Sequence, residues 1–575
     1  MPKLLKYYKP YIPLLLLMFF FLVVQSLSDL FLPDLNADII NNGVMKSDIP
    51  YIWRTGLLML IVTILLAISS ITIGYLSARS AMAFGRDLRS ALFDKVQSMS
   101  QGELDLIGAP SLITRTTNDV QQVQQGSLMF FRMMVSAPIM MVGGILMAIR
   151  QDAPLSLSIA FILPIMLLLI FFLAKSALPL FKEVQTRTDR LNLVMREKLS
   201  GIRVIRAFVK TAYEAARFSA ANADLTQTSL RVHRMMAFLM PSLMLIMNIS
   251  SIVIYWFGAS RIDSGEMPLG NMSAFLSYIM LILFSLMMAS MMFVMLPRAF
   301  ASAERICQVL DIEPSITDSD TTDTIIGDFK VLDFKNVSFK YPGAEESVLE
   351  NISFSALPGN VTAILGSTGC GKSTLIQLIP RFYDVSSGSV EINGIDIRKL
   401  SLKSLREYIG YVPQRAFLFR GSIADNLRYG KEDATETEIR EALRTSQSED
   451  FISAMPEGIL APITQGGTNV SGGQRQRLAI ARALIKNPSI YIFDDSFSAL
   501  DYKTDSRLRK ALSEKTKSSA VLIVAQRVST VLNADQIIVL EKGQIVGKGT
   551  HKELMASCEV YREIVYSQVT KEEVG

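Results

Sequence analysis

The sequence predicts an all-α polytopic membrane domain followed by an α/β P-loop domain. One observation behind this is a break in composition. The 575 residues are half apolar and only 19% charged, with a mean hydropathy of +0.32. That average hides two unlike halves. Residues 1–310 hold 27 of the 29 Met, both Trp, and 27 Lys and Arg against 18 Asp and Glu. Residues 311–575 carry 31 basic against 35 acidic residues. Intrinsic disorder, a secreted disulfide scaffold and a wholly soluble enzyme are excluded by this pattern. The second observation is a glycine-rich phosphate loop in the polar half, set between a strand-like run and a helix-like one.

Crossing a bilayer core of about 30 Å takes about 20 apolar residues in a helix. Six stretches qualify: 11–33, 52–78, 128–149, 154–178, 236–261 and 270–297. The first exceeds the apolar core of a cleaved signal peptide, and no small-residue cleavage pattern follows it. Pro138, Pro164 and Pro241 fall inside or at the ends of spans, where neighbouring helices can satisfy freed backbone groups.

Basic residues in the connections set the orientation. Lys3, Lys6 and Lys9, then Arg79, Arg86, Arg89, Lys95 and Arg115, then twelve more from Lys175 to Arg234 lie on one side. The alternate connections hold only Lys46, Arg150 and Arg261. Both termini are therefore expected in the cytoplasm. The two long inward connections show helical periodicity, through Leu88, Leu92, Val96 and Met99 and through Val194, Leu199, Ile202 and Ile205. They predict helices that continue beyond the bilayer. The expected division is a transmembrane domain over 1–310, a Ser-, Thr- and Asp-rich linker over 311–329, and a nucleotide-binding domain over 330–575.

Gly366-Ser367-Thr368-Gly369-Cys370-Gly371-Lys372-Ser373-Thr374 fits the P-loop pattern, after the apolar run 361–365 and before the helical 375–379. Glycines let backbone N–H groups wrap phosphates, Lys372 reaches the outer oxygens, and Ser373 supplies a Mg²⁺ ligand. A second apolar strand, Ile490-Tyr491-Ile492-Phe493, ends in Asp494-Asp495, and Asp494 suits the Mg²⁺-holding acid. ATP and Mg²⁺ are the expected ligands.

Between these lies Val470-Ser471-Gly472-Gly473-Gln474-Arg475-Gln476-Arg477, leading into a helix. Here the chain resembles the ABC ATPases, whose signature sequence lies over a nucleotide held by a second copy of the domain. A serine and glycines at a helix start form an anion site. By the same resemblance, Tyr341 matches the adenine-stacking aromatic, and Gln414 the glutamine that senses Mg²⁺ and water. Asp501, in Ser498-Ala499-Leu500-Asp501, matches the loop that meets the opposite domain. With six spans ahead of it, the chain resembles an ABC exporter half-transporter. The resemblance implies alternating access driven by ATP, and coupling helices at the inner ends of the spans. Their expected places are Gly102–Ser111 and Thr211–Phe218.

Two positions depart from the family pattern. The usual Glu after the Mg²⁺ acid is Asp495, and the usual switch histidine is Gln526. Neither His233 nor His551, the chain's two histidines, is near that position in sequence. A carboxylate one methylene short sits about 1 Å or more from its proper place, and misplacement on that scale can cost about 10²-fold. Glutamine cannot become a cation beside the developing phosphoryl charge. The reading is a site that binds ATP and hydrolyses it slowly, with a good signature motif. It predicts a heterodimer with a second half-transporter, as in the bacterial multidrug exporters. A homodimeric lipid or drug exporter with low ATPase activity, or a non-transporting regulatory subunit, are the alternatives. An ATPase acting on nucleic acid is excluded by the six spans and by the acidic second half.

Span six carries Met280, Met287, Met288, Met291, Met292 and Met295, with Phe284 and Phe293. Span five adds Met236, Met240, Met244 and Met247. Flexible, polarizable Met side chains suit varied apolar ligands, so a hydrophobic or amphipathic substrate, drug or lipid, is expected. Asp29 and Arg132, ionisable residues near the ends of spans one and three, are candidates for a substrate or gating role. Cys370 is expected to expose its thiol to alkylation that blocks ATP binding.

Overall fold

The computed structural model describes residues 2–318 and 328–568. Part of the expected linker, 319–327, lies outside the described residues. So do the side chains of Met240, Met291, Phe293 and Met295. The chain forms two compact units: residues 1–96 with 110–311, and residues 97–109 with 312–575.

In the first unit, six helices are long and apolar enough to span a membrane. They run well past the bilayer thickness: Ile12–Asp38, Ile49–Ser98, Val120–Gln151, Ala153–Ser200, Thr211–Asp263 and Leu269–Leu310. At 1.5 Å per residue, helices of 48 to 53 residues reach roughly 70–80 Å, so the two long connections are helical extensions of the spans. Leu88 and Leu92 of the first extension are fully buried, as the periodicity predicts. In the second, Val194 is buried but Leu199 is exposed, so that stripe is incomplete.

Small residues bring the third and sixth helices together. A Cβ at Gly126 would lie 2.4 Å from the Ala299 Cβ, and one at Gly144 2.8 Å from Ile282 Cγ1. In a bilayer such close packing replaces the hydrophobic drive that water supplies elsewhere. Polar pairs tie both helices to the first: Gln151 of the third donates to Asp34 (2.6 Å), and the Tyr278 hydroxyl of the sixth to the Leu30 carbonyl (2.9 Å). Along the same pair of helices, the fully buried Asp119 carboxylate accepts from Ser302 and Arg305. The chain around it, Arg115–Asp119, is π-helical.

The second unit is built on a six-stranded sheet in the order Gln544–Gly549, Gln536–Glu541, Val361–Gly366, Ala520–Val524, Ile490–Asp494 and Ile409–Val412. All neighbours are parallel except the first pair. Both faces are covered, so its strands read as continuous apolar runs. Ala363 and Leu365 enter one apolar core with the helix Gly472–Ile485, while Ile364 enters the other. That second core is shared with an antiparallel sheet containing Leu332–Phe339 and Leu349–Ala356.

Residues 97–109 belong to this second unit and contain the short helix Gln101–Ile107, at the first expected coupling position. Asp105 there accepts from the Tyr383 hydroxyl at 2.7 Å. The second expected position requires correction. Thr211–Phe218 is the opening of a 53-residue helix, and the short helical element is Ile202–Ala207, followed by exposed Phe208 and Val209. Val209 has a positive φ of 52°, which breaks the helix there.

Candidate functional site

Parallel pairing aligns Val524 with both Ile364 and Asp494, which sets the start of the P-loop and the Mg²⁺-acid candidate at the same end of the two strands that flank Ala520–Val524. Ligands of open α/β sheets sit beyond the carboxyl ends of their strands. Gly371 takes φ +100°, and a Cβ on it would lie 2.8 Å from Leu349, so glycine is required there. A Cβ at Gly366 would lie 2.2 Å from the Leu540 carbonyl oxygen. Ser367, Thr368 and Gly369 form the exposed crest of the loop.

Lys372 is buried, and its ammonium donates to the carbonyls of Gly366 (2.8 Å) and Ser367 (2.7 Å), which hold it under the loop. Cys370 does not sit as expected. Its side chain is 5% exposed and packs into the core, so the thiol faces away from solvent. Any contribution of Cys370 to a phosphate is through its backbone.

The Ser373 hydroxyl donates to Asp494 at 3.1 Å. Burial pushes the Asp494 carboxyl above the usual carboxylate range, opposed by Ser373 and Lys372 and reinforced by Asp495. A buried carboxylate beside a hydroxyl is a hard oxygen donor set of the kind Mg²⁺ takes. Asp495 follows at φ +46°, a conformation Asp tolerates better than most residues. Its carboxylate accepts from Gln414 Nε2 at 3.4 Å, and its own pKa is raised by burial. Asp494, Asp495, Gln414 and Ser373 are thus brought together as the sequence predicts.

Tyr341 packs edge-on against Phe339 and Tyr383 (centroids 4.9 and 5.2 Å), and its hydroxyl lies 3.0 Å from the Thr374 hydroxyl. Tyr383, which sequence reasoning missed, therefore touches both Tyr341 and Asp105 of the short helix Gln101–Ile107. No motif marks it, because a lone tyrosine after a helix has many structural uses.

Ser471 caps the helix Gly472–Ile485. Its hydroxyl accepts from the Gln474 N–H, and Gln474 Oε1 accepts from the Ser471 N–H (2.9 Å). Gly473 approaches the loop of Asp501, since a Cβ would lie 3.1 Å from the Ala499 carbonyl. Around Gly472 nothing lies within 4 Å of a Cβ position. Among the described residues, no hydrogen bond joins Ser471–Gln474 to the P-loop. Asp501 caps the next helix through the Thr504 N–H (2.9 Å), which holds its carboxyl below the usual range.

Gln526 is exposed. Its backbone carbonyl accepts from Gln568 Nε2, and Gln568 Oε1 accepts from the Val528 N–H, both at 2.8 Å. The chain's distal end thus braces the Gln526 loop, a tie that no local pattern announces.

In the first unit, a cavity of about 950 Å³ is lined by residues of spans one, two, four, five and six. Met244, Met247, Met280, Met287 and Phe284 line it as the Met stripes predict. Met59 and Met166, on spans where Met is sparse, were not legible in that pattern. Asp29 also lines it, whereas Arg132 is exposed and not part of its wall.

Comparison with known proteins matches residues 15–287 to the ABC transporter transmembrane region and residues 349–498 to the family described as ABC transporter. An uncharacterized ABC transporter ATP-binding protein of Mycobacterium tuberculosis (strain CDC 1551 / Oshkosh) is 44% identical over 574 residues, 99% of this chain and 98% of that one. The chain belongs to the ABC transporter family. The ATP-dependent lipid A-core flippase of Syntrophus aciditrophicus is 31% identical to this ABC transporter, over 96% of this chain and 90% of its own. A solved structure of a bacterial Atm1-family ABC exporter with ATP bound superposes with a TM-score of 0.78 at 21% identity. It covers 98% of this chain and 99% of that one, and shows a shared fold. The transporter therefore joins six membrane helices to an ATP-binding, ATP-hydrolysing domain.

Proposed function

We propose that this transporter exports hydrophobic or amphipathic compounds across the cytoplasmic membrane as one half of a heterodimer. Its own P-loop holds ATP with little turnover, and its signature helix completes the partner chain's productive site. In this reading residues 1–310 are the transmembrane domain, 311–329 the linker and 330–575 the nucleotide-binding domain, with both termini cytoplasmic.

The observation that carries the two-chain reading is Gly472. Gly472 opens the helix Gly472–Ile485, and among the described residues nothing lies within 4 Å of a Cβ position there. That open space leaves room for a group from another chain to approach the helix start closely. A nucleotide phosphate at the start of the 14-residue helix is met by free N–H groups and the positive end of the helix dipole.

Asymmetry between the two chains' sites is supported by Asp495 and Gln526. On the Walker side, Tyr341 would stack the adenine, the 366–374 loop and Lys372 would wrap the phosphates, and Gln414 would meet the attacking water. Ser373, Asp494 and Gln414 would hold Mg²⁺, which supplies charge neutralisation at the phosphates. Asp495 points a short carboxylate toward Gln414, and Gln526 brings no charge. ATP binding by both chains would close the ATPase domains, the short helix Gln101–Ile107 would pass closure to the spans, and hydrolysis at the partner's site would reopen them.

Export of a lipid is the second reading, favoured by the name of the flippase relative and by the apolar cavity. The experiment is purification with and without the partner chain. Alone, this transporter should bind ATP at micromolar levels yet show less than about one-tenth of the co-purified complex's ATPase rate. A homodimer with full activity, undiminished in Asp495→Asn, would overturn the heterodimer reading.

A further inference from the structure

We propose that the cavity in the membrane unit is a binding site for lipophilic organic cations, with Asp29 as the counter-charge. The inference rests on the reading of the chain as a carrier of amphipathic compounds and narrows its substrate class.

The walls of the cavity are Met, Leu and Phe, and Asp29 is the single ionisable residue among the described lining residues. No Lys, Arg or His is among those described residues. Among the described residues, no hydrogen bond or ion pair reaches the Asp29 carboxylate. The other polar groups nearby offer it nothing. Asn36 donates to the Ser273 hydroxyl (3.3 Å), and Ser277 donates to the Ser273 carbonyl (3.0 Å). Pro33, also in the wall, has no N–H to give to the Asp29 carbonyl one turn back. Residue 29 therefore presents acceptors, and the cavity presents no free cation to meet them.

An isolated carboxylate in such surroundings is costly. A bound monocation relieves that cost, and its apolar body fills a wall of polarizable thioethers. Met adapts to ligands of different shape, and the ring face of Phe284 adds attraction for a cation. An anionic headgroup would face Asp29 with no compensating charge, so phosphorylated or carboxylated lipids are disfavoured.

The test uses the complete transporter, purified with its partner chain in lipid nanodiscs. Three probes are titrated: tetraphenylphosphonium and tetraphenylborate, nearly equal in size and opposite in charge, and the smaller, neutral triphenylphosphine oxide. The phosphonium should bind at least about tenfold more tightly than either of the others, the range of a contact to a charged group. Asp29→Asn should weaken phosphonium binding about tenfold or more while leaving the neutral oxide within about twofold, which also reports a folded cavity. Asp29→Glu should keep the cation preference. Tighter binding of the borate, or an unchanged cation preference in Asp29→Asn, would overturn the proposal. Equal binding of all three probes would overturn it while leaving amphipathic transport standing. Failure of all three to bind or to change ATP hydrolysis would count against both.

Discussion

Gly472→Asp should lower the steady-state ATPase rate of the complete two-chain transporter about 100-fold, whereas Asp495→Asn in the same chain should change it by less than about twofold. The first substitution sets a carboxylate at a helix start that, in the proposed arrangement, faces the partner's γ-phosphate. Loss of one preorganised charge-stabilising contact typically costs 10²–10³-fold. The open space around Gly472 means that the new side chain fits without disturbing this chain's own packing. In the same arrangement, Asp495→Asn removes the carboxylate of a site proposed to contribute little turnover. Measurement of phosphate release by the two variants decides between the sites. The reverse ranking would place the working chemistry on this chain's own P-loop.

The double substitution Asp495→Glu with Gln526→His should raise single-turnover hydrolysis at this chain's own site by about 10- to 100-fold. Glutamate restores the reach that a methylene supplies, and positioning errors of about 1 Å are worth about 10² in rate. Histidine can carry charge near neutral pH. The single variants should gain far less, because a base without the switch residue, or the reverse, leaves the site incomplete. The left-handed φ of Asp495 suits Asp better than the longer residue, so the gain should fall toward the lower end of that range. An unchanged rate in the double variant would show that something other than these two residues limits hydrolysis.

Much of this was legible in the sequence because the signals are long or strongly constrained. Twenty apolar residues in a row have few alternatives to a membrane helix, and a glycine-rich loop between strand and helix has few uses besides phosphate. The six spans, the joining of Ser373 to Asp494, and the cap of the Gly472–Ile485 helix all follow from such signals. Contacts between distant segments were not legible. Asp119 with Arg305, Tyr383 with Asp105, and Gln568 with the Gln526 loop each join residues whose local sequence carries no mark of the partner. The second coupling position was misjudged for a related reason. A helical pattern marks Thr211–Phe218 and Ile202–Ala207 alike, and the break between them depends on the backbone turn at Val209. Cys370 was placed by its motif position, but its side chain follows the packing of the core beneath the loop.

In the proposed heterodimer this chain's P-loop keeps its ATP while the partner's turns over. The most direct test is the nucleotide retained by the complete transporter after many turnovers, trapped by rapid gel filtration, acid-quenched and separated. About half of the retained nucleotide should be intact ATP, and an azido analogue should photocrosslink to this chain near Tyr341. Retained nucleotide that is all ADP, or ATP equally distributed between the two chains, would contradict the proposal.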